Sequence, residues 1–163
     1  MRGLHWIPLV LSALVVALDR WAKIWIESNV EEWRIIHVIP GFFQIVHTRN
    51  TGIAFGMFQS DDGRSSPLLV VFSLLVMVFI AWMLWTSIRP STTDHWTNRF
   101  GLGLVFGGAI GNLYDRLRYG SVTDFLDFYF GSNHFPVFNV ADSAITAGAG
   151  LLILGIWFSR GKQ

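Results

Sequence analysis

Two carboxylates in this sequence, Asp124 and Asp142, stand at the edges of apolar segments where ordinary ion pairing explains them poorly. Two carboxyl groups in one pocket of low dielectric constant cannot both ionise cheaply, so one of them keeps its proton. The ionised group can then act as a base on a water molecule while the protonated group donates to a carbonyl oxygen. That is the chemistry of aspartic-type amide hydrolysis. For Asp142 a second interpretation stays open, because Asn139 three residues earlier forms the N-cap pattern of a helix.

Two further polar groups lie on predicted helices. Asp19 and Lys23 are one helical turn apart, which is the spacing of an intrahelical ion pair. Asn112, Asp115 and Arg116 follow at the i, i+3 and i+4 positions of one helix face. Asp115 with Arg116 fits a salt bridge and Asn112 fits an interhelical hydrogen bond. Alternatively, Arg116 is suited to hold a nearby carboxylate or a substrate carbonyl.

Several other kinds of chemistry are disfavoured by composition. The chain has no cysteine, which excludes thiol nucleophiles and disulfides, and its five histidines show no metal-ligand spacing. We therefore expect no metal and no cofactor. The net charge of +1 provides no broad basic face, so a nucleic-acid partner is not expected.

The elements that carry these residues are predicted to be membrane helices. Of the 163 residues 52% are hydrophobic and 14% are charged, and the hydrophobic ones are gathered in four blocks. Three blocks are too short to span a bilayer unless they include polar flanking residues. We predict a membrane all-α fold in a single domain, residues 1–163, with a bundle of four transmembrane helices at about 4–26, 66–88, 98–116 and 139–159.

The third predicted helix contains Gly103, Gly107 and Gly111 at four-residue spacing. Small residues at this spacing allow a neighbouring helix to approach closely. We interpret this ridge as packing.

If the four helices cross the membrane in alternating directions, three polar clusters lie at the same membrane face. They are at the end of helix one, the end of helix three and the start of helix four. Ionisable groups at the hydrocarbon boundary indicate a functional site. The other face carries basic residues in its short loop and tails, so we place both termini in the cytoplasm and the site on the outer side. Those residues are Arg2, Arg89, Arg99, Arg160 and Lys162. An alternative is that residues 1–18 are a cleaved secretory signal, which would leave three spans.

The segment between the first two helices has a different pattern. Two apolar stretches flank Pro40 and Gly41, a pair suited to the centre of a type II turn. We predict a small antiparallel sheet on the outer surface at about residues 33–58. Its aromatic side chains are available to lipid or to a lipid-bearing ligand, or they only cover the helix ends. The residues between Asp124 and Asp142 are expected to form a loop that brings the two carboxylates together.

Four motifs resemble those of the bacterial lipoprotein signal peptidases, the type II signal peptidases, and the similarity runs over nearly the whole chain. They are Asp19-Arg-Trp-Ala-Lys23, Asn50-Thr-Gly-Ile-Ala-Phe-Gly56, Gly107-Gly-Ala-Ile-Gly-Asn-Leu-Tyr-Asp-Arg116 with Val122-Thr-Asp-Phe125, and Phe138-Asn-Val-Ala-Asp142. The resemblance implies a four-helix enzyme of the bacterial cytoplasmic membrane with an outer, extracytoplasmic β-cradle. It also implies removal of signal peptides from prolipoproteins immediately before a diacylglyceryl-modified cysteine.

The same resemblance implies roles for individual residues. Asp124 and Asp142 match the catalytic dyad, and Asp19, Lys23 and Asp115 match supporting positions. The residues that match the lining of the site are Asn50, Gly108, Asn112, Arg116, Asn139 and Ala141. We further expect that the cyclic peptide globomycin inhibits the enzyme, and that the enzyme acts as a monomer within membrane lipid. Arg20 departs from the family pattern, in which glutamine is frequent, and puts the local environment of Asp19 in doubt.

A different functional class remains open on the residues alone. A small proton-coupled carrier would use embedded carboxylates such as Asp19, Asp115 and Asp142 as a relay. Carriers usually place such groups near the membrane midplane. Here they crowd one boundary, which favours an enzyme over a carrier or a purely structural subunit.

Overall fold

The computed structural model describes residues 5–52, 63–89 and 96–160, which form four helices and a four-stranded antiparallel sheet. This architecture confirms the predicted fold class. Part of the expected outer β segment, residues 53–58, lies outside the described residues. The elements are α1 (Ile7–Asn29), β1 (Ile35–Ile39), β2 (Phe43–Asn50), α2 (Pro67–Ser87), α3 (Trp96–Tyr119), β3 (Val122–Phe130), β4 (Asn133–His134) and α4 (Val140–Arg160).

Each of these four helices has 21 to 24 residues, so each is long enough to cross a hydrocarbon core of about 30 Å. Within the described ranges, two helices are also apolar enough by composition: Pro67–Ser87, with a mean hydropathy of 2.7, and Val140–Phe158, with 1.6. Helices α1 and α3 are less apolar because they bury charged residues against each other. The outer face of α1 carries exposed leucine, valine and isoleucine, and that of α3 carries Leu117 and exposed aromatic side chains.

Helix α3 lies at the centre of the bundle and packs against α1, α2 and α4. Its glycines allow the backbones to approach. A Cβ added at Gly103 would lie 2.7 Å from the carbonyl oxygen of Pro8, and one added at Gly107 would lie 2.7 Å from that of Ser12. Gly111 continues the row, facing Asp19. The interpretation of this ridge as a packing surface is therefore confirmed.

The sheet has the strand order β1-β2-β3-β4. Strands β1 and β2 form the predicted hairpin, in which Ile39 is the partner of Phe43. The turn between them is closed by the Phe42 N–H, which donates to the Ile39 carbonyl at 3.0 Å, and Gly41 has a φ of 81°. A proline followed by a residue with positive φ is the type II arrangement.

The expectation of a loop between the two carboxylates was wrong in part, because residues 133 and 134 form β4 and residues 125–130 belong to β3. This strand pairs with β2, so that Asp124 lies opposite Thr48, and Leu126 exchanges backbone hydrogen bonds with Phe138. Phe125 packs in a core cluster with Ile26 of α1 while Asp124 is buried on the other side. Because both faces of β3 are covered, its sequence lacks the polar and apolar alternation of a half-exposed strand.

Candidate active site

A cavity of about 1170 Å³ lies between α2, α3, α4 and the sheet. Polar side chains from separate elements line one part of it: Asn50, Asn112, Arg116, Asp124 and Asp142. Apolar side chains of the helices line the rest, among them Leu69, Phe72, Val76, Leu113 and Ile145. The structure thus brings together residues that are up to 92 positions apart in sequence.

Asp124 is held on β3 with only 3% of its surface exposed. The Nδ2 group of Asn139 donates to its Oδ1 at 2.7 Å, and the Nδ2 group of Asn50 donates to its Oδ2 at 2.9 Å. Burial, and then the neighbouring charge of Asp142, raise the pKa of Asp124 to about 7, although the two amide donors act in the opposite direction. The carboxyl group is therefore able to hold a proton near neutral pH.

Asp142 lies in the first turn of α4 and forms a reciprocal cap with Asn139. The Asp142 N–H donates to Asn139 Oδ1 at 3.0 Å, and the Asn139 N–H donates to Asp142 Oδ2 at 3.1 Å. The other carboxylate oxygen, Oδ1, accepts from Asn112 Nδ2 at 2.7 Å. The capping interpretation is therefore confirmed, and because Asp142 also lines the cavity, capping does not exclude a chemical role.

Asn139 connects the two carboxylates. Its side chain is fully buried, donates to Asp124 and accepts from the Asp142 backbone, and its Nδ2 also lies 3.2 Å from Asn112 Oδ1. One amide thus fixes the relative positions of both acids and of Asn112.

On the other side of Asn112 from Asp142 is a buried ion cluster centred on Lys23, whose side chain is not exposed at all. Its Nζ lies 2.7 Å from Asp19 Oδ2, 2.7 Å from Asp115 Oδ2 and 3.1 Å from Asn112 Oδ1. The Asp19–Lys23 pair is as predicted. Asp19 also accepts the backbone N–H of Ala141 through Oδ1 at 2.9 Å, which fixes the start of α4 to α1.

The predicted salt bridge between Asp115 and Arg116 was wrong. Adjacent residues of a helix point in different directions, so Asp115 faces Lys23 and Arg20 of α1 while Arg116 faces the cavity. There Arg116 donates from Nη2 to the Gly52 carbonyl at 2.7 Å.

Gly108 and Ala141 place the backbones of α3 and α4 in close contact beside the two carboxylates. A Cβ at Gly108 would overlap the Ala141 carbonyl oxygen and would lie 2.7 Å from Cγ1 of Ile145. Ala141 is itself completely buried. These two residues therefore act by setting the spacing of α3 and α4, since neither glycine nor alanine has a polar side chain that could contact a substrate.

Arg20 stands at the position that departs from the family pattern. Its guanidinium pairs with Asp115 and Glu27 among the described residues, and not with Asp19. Its Nη1 donates to Asp115 Oδ1, and its Nη2 lies 3.2 Å from Glu27 Oε2. Glu27 in turn accepts the hydroxyl of Thr123 at 2.7 Å. Sequence reasoning missed Glu27 and Thr123. The spacing of Lys23 and Glu27, one helical turn, was the available indication that Glu27 lies on the same face.

Asp124, which is buried, and Asp142, which is partly buried, lie at the edge of a bundle of membrane helices beside a cavity large enough for a peptide. This arrangement is the one expected of an aspartic-type peptide-bond hydrolase of the membrane. Comparison with known families agrees: the profile described as signal peptidase (SPase) II matches residues 11–158. The chain belongs to the signal peptidase II family. This assignment decides between the two functional classes in favour of the hydrolase over the carrier.

Similar proteins support the assignment over the full length. The lipoprotein signal peptidase of Solibacter usitatus (strain Ellin6076) is 44% identical over 157 residues, which cover 96% of this chain and 93% of the relative. That of Syntrophotalea carbinolica is 42% identical and covers 93% and 91%. A solved structure described as a bacterial membrane enzyme, determined by the in meso method at 2.3 Å resolution, has a TM-score of 0.80 and 28% identity, covering 96% of this chain and 91% of the other.

Proposed function

We propose that Asp124 and Asp142 are the catalytic dyad of this enzyme and that they hydrolyse a peptide bond in a prolipoprotein. The observation that carries the proposal is the position of the two carboxylates. They line one cavity, and Asn139 donates to both, from its Nδ2 to Asp124 and from its backbone N–H to Asp142. Among the described residues, neutral amide side chains donate to them: Asn50 and Asn139 to Asp124, and Asn112 to Asp142.

In the resting state we assign the shared proton to Asp124, because burial and the adjacent carboxylate favour its protonated form. Asp142 is taken as the ionised member, because it lies in the first turn of α4, where the helix dipole favours a negative charge. The titration belongs to the pair, since the two groups interact.

Hydrolysis then proceeds in two steps. In the first, ionised Asp142 removes a proton from a water molecule as the water oxygen attacks the scissile carbonyl carbon, and Asp124 donates its proton to the carbonyl oxygen. The product is a neutral tetrahedral diol. In the second, Asp142 returns its proton to the amide nitrogen, the carbon–nitrogen bond breaks, and Asp124 takes back a proton as the carboxyl group forms. Both aspartates end in their starting states.

The substrate class follows from the family and from the cavity. The similar proteins are named lipoprotein signal peptidases, and the cavity combines the dyad with an apolar wall from α2 and α4. A signal peptide followed by a cysteine that carries acyl chains fits this combination. We place the cut immediately before the diacylglyceryl-modified cysteine, whose amine is the leaving group.

The orientation of the chain is part of the proposal. With both termini in the cytoplasm, the dyad and the sheet lie at the outer face, where a prolipoprotein signal peptide ends after export. The basic residues of the opposite loop and tails support this orientation. We also propose that the enzyme acts as a monomer. Globomycin would inhibit it by placing a hydroxyl between the two carboxylates as a mimic of the tetrahedral intermediate.

The decisive experiment replaces Asp124 and Asp142 singly by asparagine in the purified full-length enzyme. Cleavage of a lipidated prolipoprotein is then followed by gel shift or mass spectrometry. Each variant is expected to lose detectable turnover, because the remaining carboxyl group cannot serve as acid and base together. Asp115→Asn is the matched control: it removes a carboxylate of the same buried region, and it is expected to reduce rate or stability without abolishing turnover. Full cleavage by either dyad variant would remove that residue from the catalytic role.

A further inference from the structure

The start of β3 has a second contact surface on the side away from the cavity. Successive residues of a strand point to opposite faces, and the cavity is lined by Val122 and Asp124 but not by Thr123. Thr123 instead faces α1, where its hydroxyl donates to Glu27 Oε1 at 2.7 Å. Thr123 is 5% exposed and the Glu27 side chain 27%, so this hydrogen bond is partly shielded from water.

Glu27 is held in place from its other side. Its Oε2 lies 3.2 Å from Arg20 Nη2, and the same guanidinium donates to Asp115 on α3. The guanidinium carbon also lies 5.7 Å and 5.3 Å from the ring centres of Tyr114 and Tyr119. A planar group with two carboxylate partners and two aromatic faces has little freedom to move. Arg20 therefore fixes the carboxylate that Thr123 reaches.

The backbone ladder is least regular close to the catalytic position. The register between β2 and β3 shifts between Ile45 and Thr48, and Thr48 is the partner of Asp124. An irregularity of this kind leaves a residue without its ladder bonds and bends the strand locally. Apolar packing of Phe125 on Ile26 and Val30 holds the strand against α1, but such packing has no preferred direction. The Thr123 hydroxyl supplies a directional contact next to Asp124.

We propose that Glu27 and Thr123 are positioning residues for Asp124, with Arg20 as their anchor on α1. The proposal rests on the proposed catalytic function of Asp124. Through this contact the strand holds the Asp124 carboxylate where both Asn50 and Asn139 donate to it. Without it, β3 shifts and those two donor bonds lengthen.

The test uses purified full-length Thr123→Val, which keeps the β-branched shape but removes the hydroxyl, and Thr123→Ser, which keeps the hydroxyl. Glu27→Ala removes the acceptor. Its control, Glu31→Ala, removes an exposed carboxylate four residues further along. All variants are assayed on a lipidated prolipoprotein, well below the lowest melting temperature of the set, for kcat, KM and the pH dependence of kcat/KM.

Thr123→Val and Glu27→Ala are expected to lower kcat about tenfold, because small misplacements of a catalytic group are costly, with KM unchanged since neither residue lines the cavity. Thr123→Ser and Glu31→Ala should keep kcat within about twofold of the parent. The double variant with Thr123→Val and Glu27→Ala should be no slower than Glu27→Ala alone, because Glu27→Ala already breaks the hydrogen bond that Thr123→Val removes. Weaker donation from Asn50 and Asn139 should also move the alkaline limb of the pH profile to higher pH.

Three results would overturn the proposal: equal kcat for Thr123→Val and Thr123→Ser, a change confined to KM, or multiplicative effects in the double variant. These results differ from failure of the proposed function, in which Asp124→Asn itself would remain active. Equal kcat for the two threonine variants together with an inactive Asp124→Asn would leave the dyad standing and remove only its positioning contact.

Discussion

The close approach of α3 and α4 at Gly108 determines the distance between the Asn112 side-chain amide on α3 and the Asp142 carboxylate on α4. Asn112 lies one turn beyond Gly108 on α3, and its Nδ2 donates to Asp142 on α4 at 2.7 Å. Any group that pushes the two helices apart at Gly108 therefore lengthens this bond. Gly108→Ala is the smallest such change.

The displacement that Gly108→Ala causes follows from the contacts at this position. The added Cβ would lie 2.7 Å from Cγ1 of Ile145 and even closer to the Ala141 carbonyl oxygen, whereas ordinary contact begins at 3.4 Å. The helices must separate by at least roughly 0.7 Å, and by more at the Ala141 oxygen, because close-packed backbone cannot be compressed. The Asn112 to Asp142 distance then rises to roughly 3.4 Å, at which a hydrogen bond is largely lost. We expect kcat to fall about 10- to 100-fold and stability to fall by about 1–3 kcal/mol.

Gly150→Ala is the matched control, because it makes the same chemical change on α4 at a position where a Cβ meets nothing within 4 Å. Alanine favours a helix over glycine by about 1 kcal/mol, so this variant should be as stable as the parent or slightly more stable. Both proteins are assayed for cleavage of a lipidated prolipoprotein under single-turnover conditions, and thermal unfolding is followed by tryptophan fluorescence. If kcat of Gly108→Ala stays within twofold of Gly150→Ala, helix spacing does not control the site and the reasoning is refuted.

Four further predictions concern charge and capping. The kcat/KM of the free enzyme should fall as pH rises through about 7, about tenfold per unit, because Asp124 then loses the proton the dyad needs; a plateau to pH 9 would contradict this. Since the pKa of Asp124 in the folded protein is raised from 3.8, the parent protein should lose stability as pH rises between about 4 and 7. Asp124→Asn should remove that loss, so the melting temperature of the variant should rise relative to that of the parent over this pH range. Lys23→Met should destabilise the fold by about 3–5 kcal/mol because it leaves Asp19 buried without its partner, and adding Asp19→Asn should restore part of the loss in the same unfolding assay. Asn139→Ser should keep the helix cap but no longer reach Asp124, so kcat should fall while the melting temperature changes little; parallel loss of both would show that Asn139 acts only as a cap.

The sequence predicted the helices and the positions of the polar clusters well, because both depend on local patterns. Apolar blocks mark the helices, although three of the four reach bilayer length only with their polar flanking residues, and carboxylates at their ends mark the boundary. Glycines repeated every four residues marked the packing face of α3. The Asp19 and Lys23 pair followed from their spacing of one turn, and the structure has it at 2.7 Å.

Strand β3 could not be predicted in the same way. It is covered on one face by α1 and borders the cavity on the other, so its run of aromatic and aliphatic residues carries no period of two. Its pairing with β2 joins Asp124 to Thr48, residues 76 positions apart, which no local pattern reveals. The partner of Asp115 was missed for a related reason: the neighbour in sequence was preferred over Lys23 and Arg20, which α1 supplies from a distance.

The wall of the cavity formed by α2 has a consequence for kinetics. Phe72 and Val76 line the cavity and are 62% and 38% exposed, so the cavity is open along α2, a helix apolar enough to cross a bilayer. A lipidated peptide would therefore arrive by lateral diffusion within one leaflet, and its encounter rate depends on molecules per unit area. Rates measured in detergent should fall when micelles are added at constant total substrate, and Michaelis constants for this enzyme are best expressed as mole fractions.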